Sequence, residues 1–258
     1  MSNKVTEALK SIGVKVTTFN PDANKEAHPH LTTGIDVLDE LIGGPDTCPG
    51  VPLGGLTQFL DYEDKRHSQA IAKYLVKTTL KAGKRVLWIH FDDGDSTALS
   101  DTEIKDLLNM DGHFEYAEPN KSDEKETLRE CFKKVWTAAV VEGVDLVVFN
   151  GAKPSSHHMA GDWDTVMWEK FLPQLRAGLK KKQTAFVGLS KLWLGAEKYG
   201  HERGHNGGLA WRYYSHLRVL FRDMPDEKDS VSVYIKKNKI SGNFGHSGVI
   251  PTGRVYED

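Results

Sequence analysis

Cysteine is nearly absent from the 258-residue chain: Cys48 and Cys131 are the only two, too few for a disulfide framework. Charge of one sign is lacking as well. A formal net charge of −2 excludes a blanket nucleic-acid coat, so any DNA contact has to come from local loops. No apolar run is long enough to cross a membrane, and no positively charged segment leads into an apolar one near the N-terminus. Internal repeats and low-complexity tracts are missing too. These absences set the expectation of a soluble, intracellular protein. With 39% hydrophobic and 27% charged residues, the chain can bury a proper core, most simply as one domain with short extensions.

What is present alternates between strand and helix patterns, the signature of a mostly parallel sheet covered by helices. Residues 1–13 read as a short amphipathic helix, 13–19 as a strand, and 20–30, with two prolines, as a linker. Strands are expected at 57–60, 85–91, 144–149 and 185–189, and helices at 68–82, 101–110, 126–142 and 163–181. Pro173 should kink the last helix or end it early. Residues 118–125 are polar enough for an exposed loop, and after Leu209 the pattern turns to paired strands at 219–221 and 230–236.

Residues 31–44 read Leu-Thr-Thr-Gly-Ile-Asp-Val-Leu-Asp-Glu-Leu-Ile-Gly-Gly, and Gly50-Val-Pro-Leu-Gly-Gly-Leu-Thr-Gln-Phe-Leu follows. Here the chain resembles the entry to the ATPase core of the RecA/UvsX recombinase family. A later segment, Asn206-Gly-Gly-Leu-Ala-Trp-Arg-Tyr-Tyr-Ser-His-Leu-Arg-Val-Leu-Phe-Arg, is similar to that family's Gly-Gly-x-Ala-Leu-x-Phe-Tyr-x-x-x-Arg-Leu segment. Tyr234-Ile-Lys-Lys-Asn-Lys-Ile is similar to its Val-Lys-Asn-Lys strand. The resemblance runs from about Leu31 to Arg254. It implies a RecA-like α/β core over 31–258, with a mostly parallel central sheet flanked by helices and C-terminal antiparallel strands, preceded by the 1–30 extension.

The family's phosphate loop, Gly-x-x-x-x-Gly-Lys-Thr, is replaced. Its backbone N–H groups would cradle phosphates while the Lys and Thr served the terminal phosphates and Mg²⁺. Here stand Asp61-Tyr62-Glu63-Asp64-Lys65-Arg66-His67-Ser68: Asp61 and Arg66 take the glycine places, His67 takes the lysine place, and Ser68 alone survives. The metal-organising acid of the family falls at Asn150, and the residue that activates the attacking water lies near Asp92, a shorter acid than the family's Glu. The glutamine that reports the nucleotide state falls at Ser190 or Lys191. Phosphoryl transfer needs loop backbone, lysine and metal together, so ATP turnover is not expected, nor a cofactor or a catalytic residue.

Two readings of the altered loop stay open. It is a surface turn that has drifted, or Asp61, Glu63 and Asp64 place carboxylates where a triphosphate would sit. In the second case they would meet Lys237 and Lys239, which match the lysines that reach a neighbour's ATP across the RecA filament interface. Phe19, in a loosely matching Phe-Asn-Pro-Asp-Ala run, falls where recombinases dock an apolar anchor on a neighbour, and Lys191 joins the same expected interface.

The resemblance also places two DNA-contacting loops. One carries Lys153, Ser155, His157 and His158; the other carries Trp193, Lys198, Tyr199, His201, Arg203 and His205 and ends at Gly207 and Gly208. Cations interleaved with rings can track phosphates and stack on bases, a pattern suited to single-stranded DNA, while the bland alternative is ordinary solvated loop residues. His201-Glu202-Arg203-Gly204-His205 also spells His-Glu-x-x-His, a zinc-protease pattern that needs a rigid helix. Gly200, Gly204, Gly207 and Gly208 argue for a loop instead, so no metal site is expected.

The expected function is a recombinase homologue without ATPase activity that binds DNA, single-stranded by preference, and associates with itself in recombination, repair or replication. The alternatives are an accessory paralogue that joins or caps filaments of an active RecA/UvsX partner, and a scaffold without DNA or nucleotide. No membrane partner is expected, and the location is cytoplasmic and DNA-associated, including a phage-encoded protein acting in an infected cell.

Overall fold

The computed structural model describes residues 27–44, 47–62, 66–90, 98–118, 143–150, 163–192, 208–224 and 229–253, with isolated positions 133, 136, 137, 226 and 227. The expected N-terminal helix and strand, and nearly all of the expected 126–142 helix, lie outside them.

A two-residue antiparallel pair, β1 (His30–Leu31) with β2 (Val51–Pro52), frames the short helix α1 (Asp36–Ile42). Gly50 closes this frame with φ +144, and a Cβ there would sit 2.2 Å from the Leu31 carbonyl oxygen, so no other residue fits. Then follow β3 (Leu56–Tyr62), α2 (Arg66–Lys81), β4 (Arg85–His90), α3 (Asp101–Leu108), β5 (His113–Ala117), β6 (Leu146–Asn150), α4 (Trp163–Lys182) and β7 (Ala185–Leu192). The chain continues through α5 (Gly208–Tyr214), β8 (Leu217–Asp223), β9 (Ser230–Asn238) and β10 (Ser247–Pro251).

β3 to β10 form one eight-stranded sheet in the order β10-β9-β8-β3-β7-β6-β4-β5. The run from β8 to β5 is parallel, and β9 and β10 add antiparallel pairs at the other side. The expected mostly parallel sheet with C-terminal antiparallel strands is therefore what the chain forms. Strands buried on both faces explain why they read as continuous apolar runs. In β6, Leu146 and Val148 join the core under α1, α2 and α3, while Val147 and Phe149 join a second core under α4 and α5. α2 turns Ile71, Ala72, Leu75, Val76 and Leu80 inward at helical spacing, each larger side chain worth about 1.5–3 kcal/mol when fully buried.

The structure departs from the sequence reading in three places. α4 does not end early at Pro173 but continues to Lys182. The proline leaves the carbonyl of Glu169 without its helical donor, and Glu169 is exposed, so water can satisfy it. The segment after Leu209 enters paired strands only after α5, whose Trp211 is driven inward by burial against Phe149 and Phe186. Finally β5 and β10 were not anticipated. Both are five-residue edge strands with one fully buried side chain each, Phe114 and Ile250, too weak a pattern to stand out.

α3 starts on a capping box: Glu103 N–H donates to Ser100 Oγ at 3.3 Å, and Ser100 N–H donates to Glu103 Oε2 at 2.7 Å. Lys73 of α2 donates to the same glutamate and ties the two helices together. Although burial pushes the Glu103 carboxyl up, the bonds from Lys73 and Ser100 outweigh it and hold the group below the usual carboxylate range.

Candidate functional site

Parallel strands of an open α/β sheet gather their chemistry at their carboxyl ends, where loops leave for the helices. At this edge β3 ends on Asp61-Tyr62, β4 on His90, β6 on Asn150 and β7 on Lys191-Leu192. Asp61 is 1% exposed, and its Oδ2 accepts the backbone N–H of Ser68 at 2.7 Å. The first turn of a helix leaves its N–H groups without intrahelical partners and carries a partial positive charge. A carboxylate at the end of the preceding strand satisfies both. Asp61 thus faces its own helix rather than a neighbouring subunit, so of the three acids expected to bridge to another chain only Glu63 and Asp64 are left for that role.

Arg66 and His67, in the places of the second glycine and the lysine, turn to one acid at the end of β8. The Arg66 Nη2 lies 2.5 Å and the His67 Nε2 2.9 Å from Asp223 Oδ1, with His67 buried and Arg66 exposed. Where the resemblance would place a metal-organising acid, Asn150 Nδ2 lies 3.4 Å from His90 Nδ1, its register partner in β4. An amide beside an imidazole supplies no negative charge to hold Mg²⁺ there.

Ser190, one of the two positions assigned to nucleotide sensing, belongs to a buried polar chain across three strands. Arg218 Nε donates to Gln58 Oε1 at 2.8 Å, and Gln58 Nε2 donates to Ser190 Oγ at 3.1 Å. Gln58 and Arg218 were not singled out from sequence. The available signal was a long polar side chain beside apolar residues near the start of each strand, Gln58 before Phe59-Leu60 and Arg218 between Leu217 and Val219. Lys191 stands beside Asp61 in the β3–β7 register.

On the far side of β8, Lys237 of β9 and Lys239, just past its end, converge on the end of α5. Lys237 Nζ donates to the carbonyls of Arg212 at 2.5 Å and Tyr213 at 3.0 Å. Lys239 Nζ donates to the Tyr213 carbonyl at 3.5 Å and lies 5.5 Å from the Tyr213 ring centroid. Cations suit the carboxyl end of a helix. Burial, then Lys239, Arg218 and Arg212, push the Lys237 ammonium down to about 8. Burial, then Arg176, Lys239, Lys237 and His28, push the neighbouring His216 down to about 4. The charges acting most strongly on both groups are cations, which makes this a concentrated positive patch.

Other expected site residues lie outside the described residues: Phe19, Glu63, Asp64, Asp92, Lys153, Ser155, His157, His158, Trp193, Lys198, Tyr199, His201, Arg203, His205 and Gly207. Their described anchors are informative. One candidate DNA segment leaves the end of β6 and the other leaves the end of β7, adjacent parallel strands, and the second re-enters at Gly208, the first residue of α5. Among the described residues no group of three or more His, Cys, Asp or Glu could hold a metal ion, and no helix is long and apolar enough to cross a membrane. Compared with protein-family models and with curated protein sequences, the chain matches none.

Proposed function

We propose that this chain is a RecA/UvsX-type recombinase homologue that binds single-stranded DNA and assembles with copies of itself without turning over ATP. The observation that carries the reading is the β3–α2 junction. The amide and side chains that would face a phosphate are engaged by Asp61 and Asp223, and Asn150 at the end of β6 brings no charge for a metal. Electrostatic stabilisation by loop, lysine and metal is the main source of rate in phosphoryl transfer, so losing all three leaves no route to ordinary hydrolysis. The mostly parallel sheet with antiparallel strands beyond β8 agrees with the core that the resemblance implies. Two loop segments anchored on adjacent strand ends suit a shared surface for one nucleic-acid strand.

A second reading, an accessory protein that caps or joins filaments of an active partner, is favoured by one asymmetry. The half that would hold nucleotide is altered, whereas Lys237 and Lys239, the half that would reach a neighbour's phosphates, are kept and carry a positive patch.

The test is single-stranded DNA binding with and without ATP–Mg²⁺, with light scattering to follow assembly. Binding and assembly indifferent to ATP are expected, and replacing Trp193, Tyr199 and Arg203 together by Ala abolishes binding while leaving thermal stability nearly unchanged. Micromolar, Mg²⁺-dependent ATP binding refutes the loss of the nucleotide site, and unaltered DNA affinity in the triple variant refutes the loop assignment. A chain that is monomeric alone and associates only with a nucleotide-loaded recombinase establishes the second reading.

A further inference from the structure

The first turn of α2 presents three groups that attract an anion: the backbone N–H of Ser68, the Arg66 guanidinium and the His67 ring. Each is met by a carboxylate of the chain itself. Asp61 Oδ2 lies 2.7 Å from Ser68 N, and Asp223 Oδ1 lies 2.5 Å from Arg66 Nη2 and 2.9 Å from His67 Nε2. The two acids come from different strands, β3 and β8, which pair in parallel with Asp61 opposite Phe221, so their carboxyl ends meet at this helix. Asp61 is 1% exposed, which places its carboxylate out of water and against the positive end of the helix.

We propose that Asp61 and Asp223 form a built-in oxyanion mimic that closes the start of α2 against phosphate-bearing ligands. A phosphate seated there needs the same N–H and the same two side chains, and it brings its charge against two fixed carboxylates. Asp61, 1% exposed, repels it far more strongly than a charge in water would, while the exposed Asp223 adds a weaker, screened repulsion, so the ligand is excluded by occupancy and by charge. The consequence is a helix start that is complete without a ligand. The protein holds α2 in register on β3 at any phosphate concentration, and nucleotides neither stabilise nor regulate it. This inference deepens the proposed loss of the nucleotide site but stands apart from DNA binding, whose failure leaves it intact.

The experiment titrates inorganic pyrophosphate, by calorimetry and by thermal shift, into the unmodified chain, D223N, D61N/D223N and D61G/D223N. The unmodified chain is expected to give no shift beyond that of chloride at matched ionic strength. The double variants gain at least about tenfold in affinity, about 1.4 kcal/mol, with a stabilisation that chloride does not reproduce. D61N keeps the side-chain volume and carries the test if D61G does not fold. D223N alone, at a side chain 71% exposed, carries it with a smaller gain if neither double variant folds. Pyrophosphate responses equal in the unmodified chain and every folded variant, or micromolar pyrophosphate binding by the unmodified chain, overturn the proposal.

Discussion

Acidification should destabilise this protein through one ring. His216 follows α5, and its Nδ1 accepts the backbone N–H of Leu56 at 3.1 Å, which fixes the ring proton on Nε2. A proton on Nδ1 would face that N–H and add a charge beside Arg176, Lys239, Lys237 and His28. Burial first, and these cations after it, hold the group at about 4 rather than its ordinary 6.5. Between these two values the unfolded chain binds a proton that the folded chain refuses. The contribution to stability is therefore complete above pH 6.5 and is lost as pH falls from there towards 4. The full gap caps the effect at roughly 3 kcal/mol, and the ring's partial exposure brings it to about 1–2 kcal/mol. Urea denaturation across this window, at constant ionic strength, compares the unmodified chain with His216→Asn, which keeps an acceptor but cannot titrate. The variant is expected to lose about 1–2 kcal/mol less on acidification. Parallel stability curves for the two proteins would refute this reasoning.

Two further outcomes follow from the same region. Lys237, held at about 8, sheds its charge as pH rises through that value, so assembly that depends on it weakens there and in high salt, and K237E/K239E abolishes it. Light-scattering oligomers that persist unchanged in the double variant rule out a bridging role for the pair. Gly188 packs under Trp211, and a Cβ there would lie 2.8 Å from Cζ3 and 2.9 Å from Cη2, so Gly188→Ala costs about 1–3 kcal/mol by overpacking a fully buried ring. An unchanged urea midpoint in that variant contradicts the packing account.

Periodicity and burial alone determined a large part of this protein. The runs around Thr57, Val86, Val147 and Ala185 announced buried parallel strands because a strand covered on both faces admits few polar residues. The i, i+4 spacing of Ile71, Leu75 and Thr79 announced α2, and the replaced glycines and lysine at residues 61–68 were plain in the sequence. Short elements escaped. α5, β5 and β10 carry too few side chains to set a period, and they form because a neighbouring surface covers them.

Where the charges go is a matter for the folded sheet. Asp61 reads from sequence either as part of a drifted surface turn or as an acid set to meet a neighbour's lysine, and its own helix is not marked as the partner. The turn from β3 into α2 settles the matter, because it brings the Ser68 N–H within 2.7 Å of Asp61, which the packed sheet leaves 1% exposed. Asp223, 156 residues from His67, carries no local mark of its role. Gln58 and Arg218 likewise meet only because their strands are register partners. Hydrophobic patterning is local and repeats along the chain, so it can be read in order. Charge pairing spans the sheet and depends on which strand ends share an edge, and that is a property of the fold.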